Sequence, residues 1–324
     1  VPQVLDGAKP ANTAAVRNDT TPGARWLYSG GGYTVAQLLT SDVTGEPFPQ
    51  LMRRLVLVPA GMTRSTYENP LPAARARDAA SGHERIDTPV PGRYHTYPEM
   101  AAAGLWTTAP ELARWAIALS RSYNGTDSTL LRPATAREMV SAQVAVPQQY
   151  GGESFGLGVA ITGRGDSIRF GHNGRDEGFV AMMFMYPRLG RGLVIMSNGV
   201  SGWLLNEIAR SYAVTYGLPA PTRTEHTPVA VDASALAALA GEYVLAGPRD
   251  TVVLRVTAKD DQLWFTNTNN RRSYRLWPLG DDAFFDVNTA GTIVFEREGG
   301  STAGAGRAVR LGRSPTAPKA SRRK

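Results

Sequence analysis

The sequence predicts an α+β fold followed by a small all-β domain, and three patterns predict it. Apolar residues recur at helical spacing after Tyr33 and again after Pro110. Two-residue alternation and short apolar runs take over from Phe155 to Ser197. Beyond Leu236, strand-like runs follow one another about every 8 to 12 residues, the spacing of a small antiparallel barrel or sandwich.

Residues 1–25, with Pro2, Pro10 and Pro22 and little periodicity, predict a loop, and order is expected from Trp26. Val35, Leu38, Leu39 and Val43 then fall on one helical face, stopped by Gly45. Phe48, Leu51, Met52, Leu55 and Val56 repeat that pattern before Pro59-Ala60-Gly61. Residues 63–103, rich in Pro, Gly, Arg and His, predict a surface meander. Thr108-Ala109-Pro110-Glu111 has the form of a capping box, ahead of Leu112, Trp115, Ala116 and Leu119. Phe155–Ile161, Phe179–Tyr186 and Gly192–Ser197 predict strands, the last two a hairpin through Pro187-Arg188-Leu189-Gly190. Trp203–Tyr216, with Leu204, Leu205, Ile208, Tyr212 and Tyr216 on one face, predicts a helix over that sheet.

The second half divides by composition. Residues 219–232, with Pro219, Pro221 and Pro228, have linker character. Residues 233–312 carry seven strand-like runs, at 242–245, 252–256, 263–266, 274–279, 284–287, 292–296 and 308–311. The net charge of +7 traces to one place: Arg307, Arg310, Arg313, Lys319, Arg322, Arg323 and Lys324 follow Gly299 with no acidic residue among them, and without them the charges balance. Residues 313–324 are therefore expected to be a flexible basic tail, and nucleic acid is not expected as a partner. With no cysteine, thiolate chemistry and disulfides are excluded. No run approaches the ~20 apolar residues of a transmembrane helix, and no signal segment follows Val1.

Two Gly-flanked polar stretches could carry chemistry. In Trp26-Leu27-Tyr28-Ser29-Gly30-Gly31-Gly32-Tyr33, three glycines would let backbone approach a ligand at a helix start that supplies amide donors. Tyr28 is useful as a proton carrier there only with neighbours that tune it; a packing role fits the same local pattern. In Phe170-Gly171-His172-Asn173-Gly174-Arg175, an imidazole sits between glycines beside an arginine, an arrangement equally consistent with a plain surface turn. His83, His95, His172 and His226 show no metal-ligand spacing. Gly30-Gly31-Gly32 lacks both a dinucleotide fingerprint and a Walker lysine, so no cofactor is expected.

Taken together and in order, the two stretches resemble one family. Tyr28-Ser29-Gly30 is similar to the Tyr-x-Asn or Tyr-Ser-x motif of class C β-lactamase-like serine hydrolases, and His172-Asn173-Gly174 to their third motif, Lys-Thr-Gly or His-x-Gly. Pro59-Ala60-Gly61-Met62, Gly104-Leu105-Trp106-Thr107-Thr108 and Ser197-Asn198-Gly199 are similar to the family as well. The resemblance covers residues 20–218, within a hydrolase domain placed at 1–218; residues 233–312 resemble the lipocalin-like barrel appended to some members. It implies a β-lactamase/DD-peptidase-like fold, a small-molecule or peptide substrate, and acyl-enzyme chemistry on esters, amides or D-amino-acid peptides. Tyr28 would be the general base, His172 would tune it or contact substrate, and the Arg175 N–H would supply half an oxyanion hole. Ser29, Gly30, Asn173 and Gly174 would line the substrate site. Gly30 stands where some members carry an amide-binding Asn, which implies an esterase or peptidase-like role over lactam hydrolysis. Members are commonly exported, so the resemblance implies a periplasmic or secreted protein.

The family's nucleophile is the serine of a Ser-x-x-Lys motif. The four lysines are Lys9, Lys259, Lys319 and Lys324, and only Ser321–Lys324 has the spacing, within the basic end. The expectation is an N-terminally incomplete hydrolase that is inactive as it stands; the alternative is a non-catalytic binding or regulatory relative. Substrate identity and oligomeric state are not legible in the residues.

Overall fold

Helical structure starts earlier than the proline-rich N-terminus predicts. The computed structural model describes residues 1–324 apart from 19, 25, 86–87, 147–153, 220–224, 247–250, 269–271, 288–290, 299–305, 312–317 and 324. Pro2 stands in the first turn of α1 (Pro2–Asp6), where its missing N–H costs nothing, and the chain then turns back so that Val16 N donates to Leu5 O. The chain forms two units, Val1–Pro219 and Ala220–Lys324.

In the first unit, α2 (Gly30–Thr44) begins at the three glycines, three residues before Tyr33. Its polarity is the reverse of the expectation. Thr34 and Gln37 are buried, while Val35, Leu39 and Val43 are exposed. The inward face is polar because Gln37 is fully used: its Nε2 donates to Pro98 O at 3.1 Å and its Oε1 accepts from Ala101 N at 2.9 Å. The next helix, α3 (Phe48–Met52), runs into a π turn at Arg53–Leu57. The extra residue in that turn shifts the inward position, so Leu57 is buried and Leu55 exposed.

The meander carries α4 (Ala73–Ala76), the pair β1 (His83–Arg85) and β2 (Thr88–Pro89), and α5 (Met100–Ala103). It is not merely superficial, since Ser65, Thr66 and Val90 are buried. Its anchor is Glu111 in α6 (Ala109–Asn124). The capping box does not form: the Thr108 side chain caps nothing, and the Glu111 carboxylate instead accepts from Arg64 N at 2.9 Å and Ser65 Oγ at 2.5 Å. A carboxylate 2% exposed needs such donors more than a helix end needs a side-chain cap. After α6 comes α7 (Pro133–Met139), for which no expectation was formed.

A six-stranded antiparallel sheet follows, in sequence order: β3 (Val144–Ala145), β4 (Ser154–Phe155), β5 (Ala160–Thr162), β6 (Arg169–Asp176), β7 (Phe179–Tyr186) and β8 (Arg191–Ser197). The single strand expected at 155–161 is two short ones, with Gly156–Val159 between them. Alternation along β7 sorts the core: Met183 and Met185 join Ala116 and Leu119 of α6, while Phe184 and Tyr186 join Ala213 of α8 (Gly202–Thr215). The two helices thus cover opposite faces. Each fully buried Leu or Phe here contributes about 1.5–3 kcal/mol, and Leu119 and Phe170 are both fully enclosed. On α8, Leu205 is buried, but Leu204, Ile208 and Tyr216 of the expected apolar face are exposed.

The second unit opens with α9 (Ala233–Leu239), whose Leu236 and Leu239 belong to the barrel core. Strands β9 (Gly241–Ala246), β10 (Thr251–Lys259), β11 (Gln262–Asn267), β12 (Arg272–Gly280), β13 (Ala283–Asp286), β14 (Gly291–Arg297), β15 (Gly306–Arg310) and β16 (Lys319–Arg322) close into an antiparallel barrel. Tyr243, Leu263, Leu276, Phe284 and Phe295 fill it. The expected tail is corrected in part: residues 312–317 and 324 lie outside the described ones, but Lys319–Arg322 is the closing strand, paired with β15 and β9. Its cations are partly paired. Glu296 accepts from Lys319 Nζ at 2.6 Å, from Arg307 at 3.3 Å and from Arg310, and Glu242 meets Arg255 at 2.8 Å and Arg323 at 3.5 Å. Part of the linker, 220–224, also lies outside the described residues.

The Lys319 hydrogen bond, with those of Arg307 and Arg310, holds the Glu296 carboxyl down to about 2. An unfolded Glu titrates near 4.3. The folded value is lower, so this contribution is present above about pH 4.3 and lost as pH falls toward 2. Hydrogen exchange at β15 and β16 amides should accelerate over that window. Glu296→Gln should remove the pH dependence and destabilise the closure at pH 7 by on the order of 1 kcal/mol.

Candidate active site

Ser29 fixes the entry to α2. Its backbone is extended and its Oγ accepts from Gly32 N at 3.0 Å. The glycines that follow are the first helical turn itself. Of them, Gly31 is required by packing: a Cβ there would meet the methyls of Val16 at 2.9 Å, whereas at Gly30 the nearest atom is 3.7 Å away.

Tyr28, 56% exposed, points its phenol at β6. Tyr28 Oη and His172 Nε2 lie 3.4 Å apart, a long hydrogen bond whose donor depends on the imidazole tautomer. His172 is in a strand, not a turn; it stands opposite Met183 and is held through the β6–β7 ladder. The Gly and polar composition around it conceals strand periodicity. Strand β5 pairs only with Arg169–Gly171, so the β6 edge from His172 onward has no strand on that side among the described residues. Asn173, Gly174 and Arg175 continue along it, exposed, opposite Met182, Ala181 and Val180. The Arg175 side chain is turned to Val200, donating to its carbonyl at 2.8 Å.

Of the sequence candidates, the structure thus brings Tyr28 and His172 into contact. Ser29 serves the helix. The other histidines are engaged elsewhere: His83 Nδ1 lies 3.2 Å from Asn198 O, His95 is beside Tyr97, and His226 packs on Phe285. Among the described residues, no group of three or more His, Cys, Asp or Glu could hold a metal ion. No described helix is long and apolar enough to cross a membrane.

Three aromatic neighbours were not foreseen. Trp26 and Phe155 stand with their ring centroids 6.4 Å from that of Tyr28, and Phe155 is 6.3 Å from His172. Trp26, two residues before Tyr28 in an extended segment, could have been inferred; Phe155, from across the sheet, could not. Tyr33 places its hydroxyl over Gly158, and burial, followed by the Tyr28 phenol, pushes its own phenol above the ordinary range. Tyr33 is therefore a weaker acid than an ordinary phenol and holds its proton more tightly.

Two outcomes are expected. Gly158 has φ +84°, and a Cβ there would fall 2.8 Å from Tyr33 Oη. Gly158→Ala should cost about 1–3 kcal/mol in a denaturant melt, and Tyr33→Phe should recover only the steric part, because the backbone strain remains. At the end of β6, burial pushes the Asp176 carboxyl up to about 6. Here the folded value exceeds the unfolded value near 3.9, so stability should decline as pH rises from about 4 to about 6. Asp176→Asn should stabilise the chain at pH 7 and have no such effect at pH 4; a carboxyl 13C titration midpoint near 4 would refute the assignment.

Comparison with known proteins adds family and fold. Solved structures with the same fold include SurE (TM-score 0.55, 23% identity, covering 98% of this chain and 71% of that one). Another is the octameric penicillin-binding protein homologue from Pyrococcus abyssi (TM-score 0.56, 17% identity, 98% and 69%). A class C beta-lactamase aligns less extensively (TM-score 0.51, 15% identity, 64% and 62%). Comparison with the curated proteins gave no match. The description of the Beta-lactamase family matches residues 7–215, which contain both Tyr28 and His172, and the chain belongs to that family.

Proposed function

We propose that the first unit is the proton-handling part of a serine hydrolase that works through an acyl-enzyme on esters, amides or D-amino-acid peptides. The observation that carries this reading is the 3.4 Å contact between Tyr28 and His172 at the start of α2, beside the open edge of β6. As the phenolate, a Tyr28 so placed can take the proton of an attacking serine hydroxyl as the bond to the substrate carbonyl forms, then pass it to the leaving group as the tetrahedral intermediate collapses, which restores the phenolate. Water, deprotonated by the same phenolate, would release the acyl group, and the proton would pass to the departing serine oxygen. His172 would hold Tyr28 in register. The Arg175 N–H, on β6, would be one oxyanion donor, of a kind worth roughly 10² to 10³ in rate. Asn173, Gly174 and Gly30 would border the substrate. The family commonly works outside the cytoplasm, and we extend that compartment to this chain.

Neither the serine beside Tyr28 nor that of the one Ser-x-x-Lys spacing is placed to serve as the nucleophile. Ser29 caps α2, and Ser321 lies in the strand that closes the barrel. We infer that a segment outside these 324 residues supplies it, and that the chain alone turns nothing over. The same segment would cover the outward apolar stripe Val35, Leu39 and Val43, which water now faces. The lysine census favours one second reading, a binding relative without chemistry.

A chain extended upstream as its gene encodes separates the two. On the hydrolase reading, a fluorophosphonate labels one serine of a Ser-x-x-Lys in the added segment, p-nitrophenyl esters or D-alanyl peptides turn over, and Tyr28→Phe lowers kcat by roughly 10² to 10⁴. Labelling and turnover indifferent to Tyr28→Phe, or no labelling at all, would sink the hydrolase reading; the second of these leaves the binding one.

A further inference from the structure

We propose that Trp26 and Phe155 form an aromatic wall that selects substrates carrying a planar apolar group beside the scissile carbonyl, an inference that rests on the hydrolase reading of Tyr28 and His172. Phe155 is the ring that meets all the others. Its centroid lies 5.4 Å from Trp26, 6.4 Å from Tyr28 and 6.3 Å from His172. Trp26 and Phe155 are inclined at 39°, and Phe155 meets His172 nearly at right angles, at 85°. Trp26 and Phe155 thus pack on each other as one tilted aromatic surface, and the Tyr28–His172 pair stands beside it.

These rings are not part of the apolar core. Trp26, Tyr28 and Phe155 belong to none of the four buried clusters, and Trp26 and Phe155 are each only half-buried. Helix and sheet packing does not account for an aromatic group at this edge, because α6 and α8 are served by Met183, Met185, Phe184 and Tyr186. A ring on a ligand can stack offset, or stand edge-on, against this surface, the geometries that aromatic pairs prefer at centroid separations of 4.5–7 Å. A methyl group in the same place makes only a fraction of that contact. The expected gain from one added aromatic contact is about tenfold in affinity.

The test needs no turnover and uses the 324-residue chain. N-acetyl-D-phenylalaninamide and N-acetyl-D-alaninamide are titrated while the His172 imidazole resonance is followed by NMR. Both should shift it, and the phenylalanine compound should bind about tenfold tighter. In Phe155→Ala the ratio should fall to about twofold or less, with the alanine compound's affinity retained; a purely structural role would weaken both alike. Trp26→Leu gives the same reading if Phe155→Ala does not keep the wild-type melting profile. Equal affinities in the wild type with His172 still responding, or a ratio unchanged in the folded variants, overturn the wall and leave the site. No response of His172 to either compound overturns both.

Discussion

The candidate site depends on how α2 is rotated about its own axis, and one buried amide sets that rotation. Gln37 is 2% exposed and satisfied at both ends by the backbone of residues 98–101. Turning the helix would strand a buried donor and an acceptor, each costing about 1–3 kcal/mol. With Gln37 held, Thr34 must also point inward, Val35 and Leu39 must point out, and Ser29 must meet Gly32 N with Tyr28 directed at β6. The far side of the contact is equally constrained. His172 belongs to an eight-residue strand laddered to β7, and β7 is clamped between α6 and α8. Two rigid elements from distant parts of the sequence therefore meet at one phenol and one imidazole.

Where apolar period and burial coincide, the sequence was readable. Strand β7 and helix α6 were legible because each buries the residues its period selects, and seven barrel strands were legible for the same reason. Illegibility has particular causes. On α2 the apolar stripe identifies the helix but not its inward face, because a bonded glutamine displaced the expected apolar side. Strand β6 was missed because Gly171, Asn173, Gly174 and Arg175 carry little strand propensity; its long ladder to β7 imposes the conformation. The Thr108–Glu111 spacing is right for a capping box, yet no local rule could reveal that Arg64 N and Ser65 Oγ, far back in the chain, compete for the carboxylate and win.

Of the site, Tyr28 and His172 were legible as motifs, and their contact was not. Spacing of 144 residues between the partners says nothing about distance. The aromatic neighbours were less legible still, since Phe155 is an ordinary strand residue until β4 places it beside β6's histidine. The basic end was misread for a related reason. Lys319 and Arg323 look like a solvated tail only while Glu296 and Glu242 are unknown as neighbours; once β16 closes the barrel, both have local counter-ions.

The two-sided construction of the site also bears on what holds Tyr28 and His172 in contact. Neither Tyr28 nor His172 is positioned by contact with a nucleophile: the first is set by the Ser29 cap and the Gln37 lock, the second by the β6–β7 ladder. Their geometry is thus a property of the folded unit and is in place before any serine or substrate approaches. Preorganisation of this kind is what an acyl-transfer site requires, because hydrogen-bonding groups that must reorganise during reaction give back much of their stabilisation. The cost appears elsewhere: an apolar stripe on α2 faces water, and among the described residues the β6 edge from His172 onward pairs with no strand on one side.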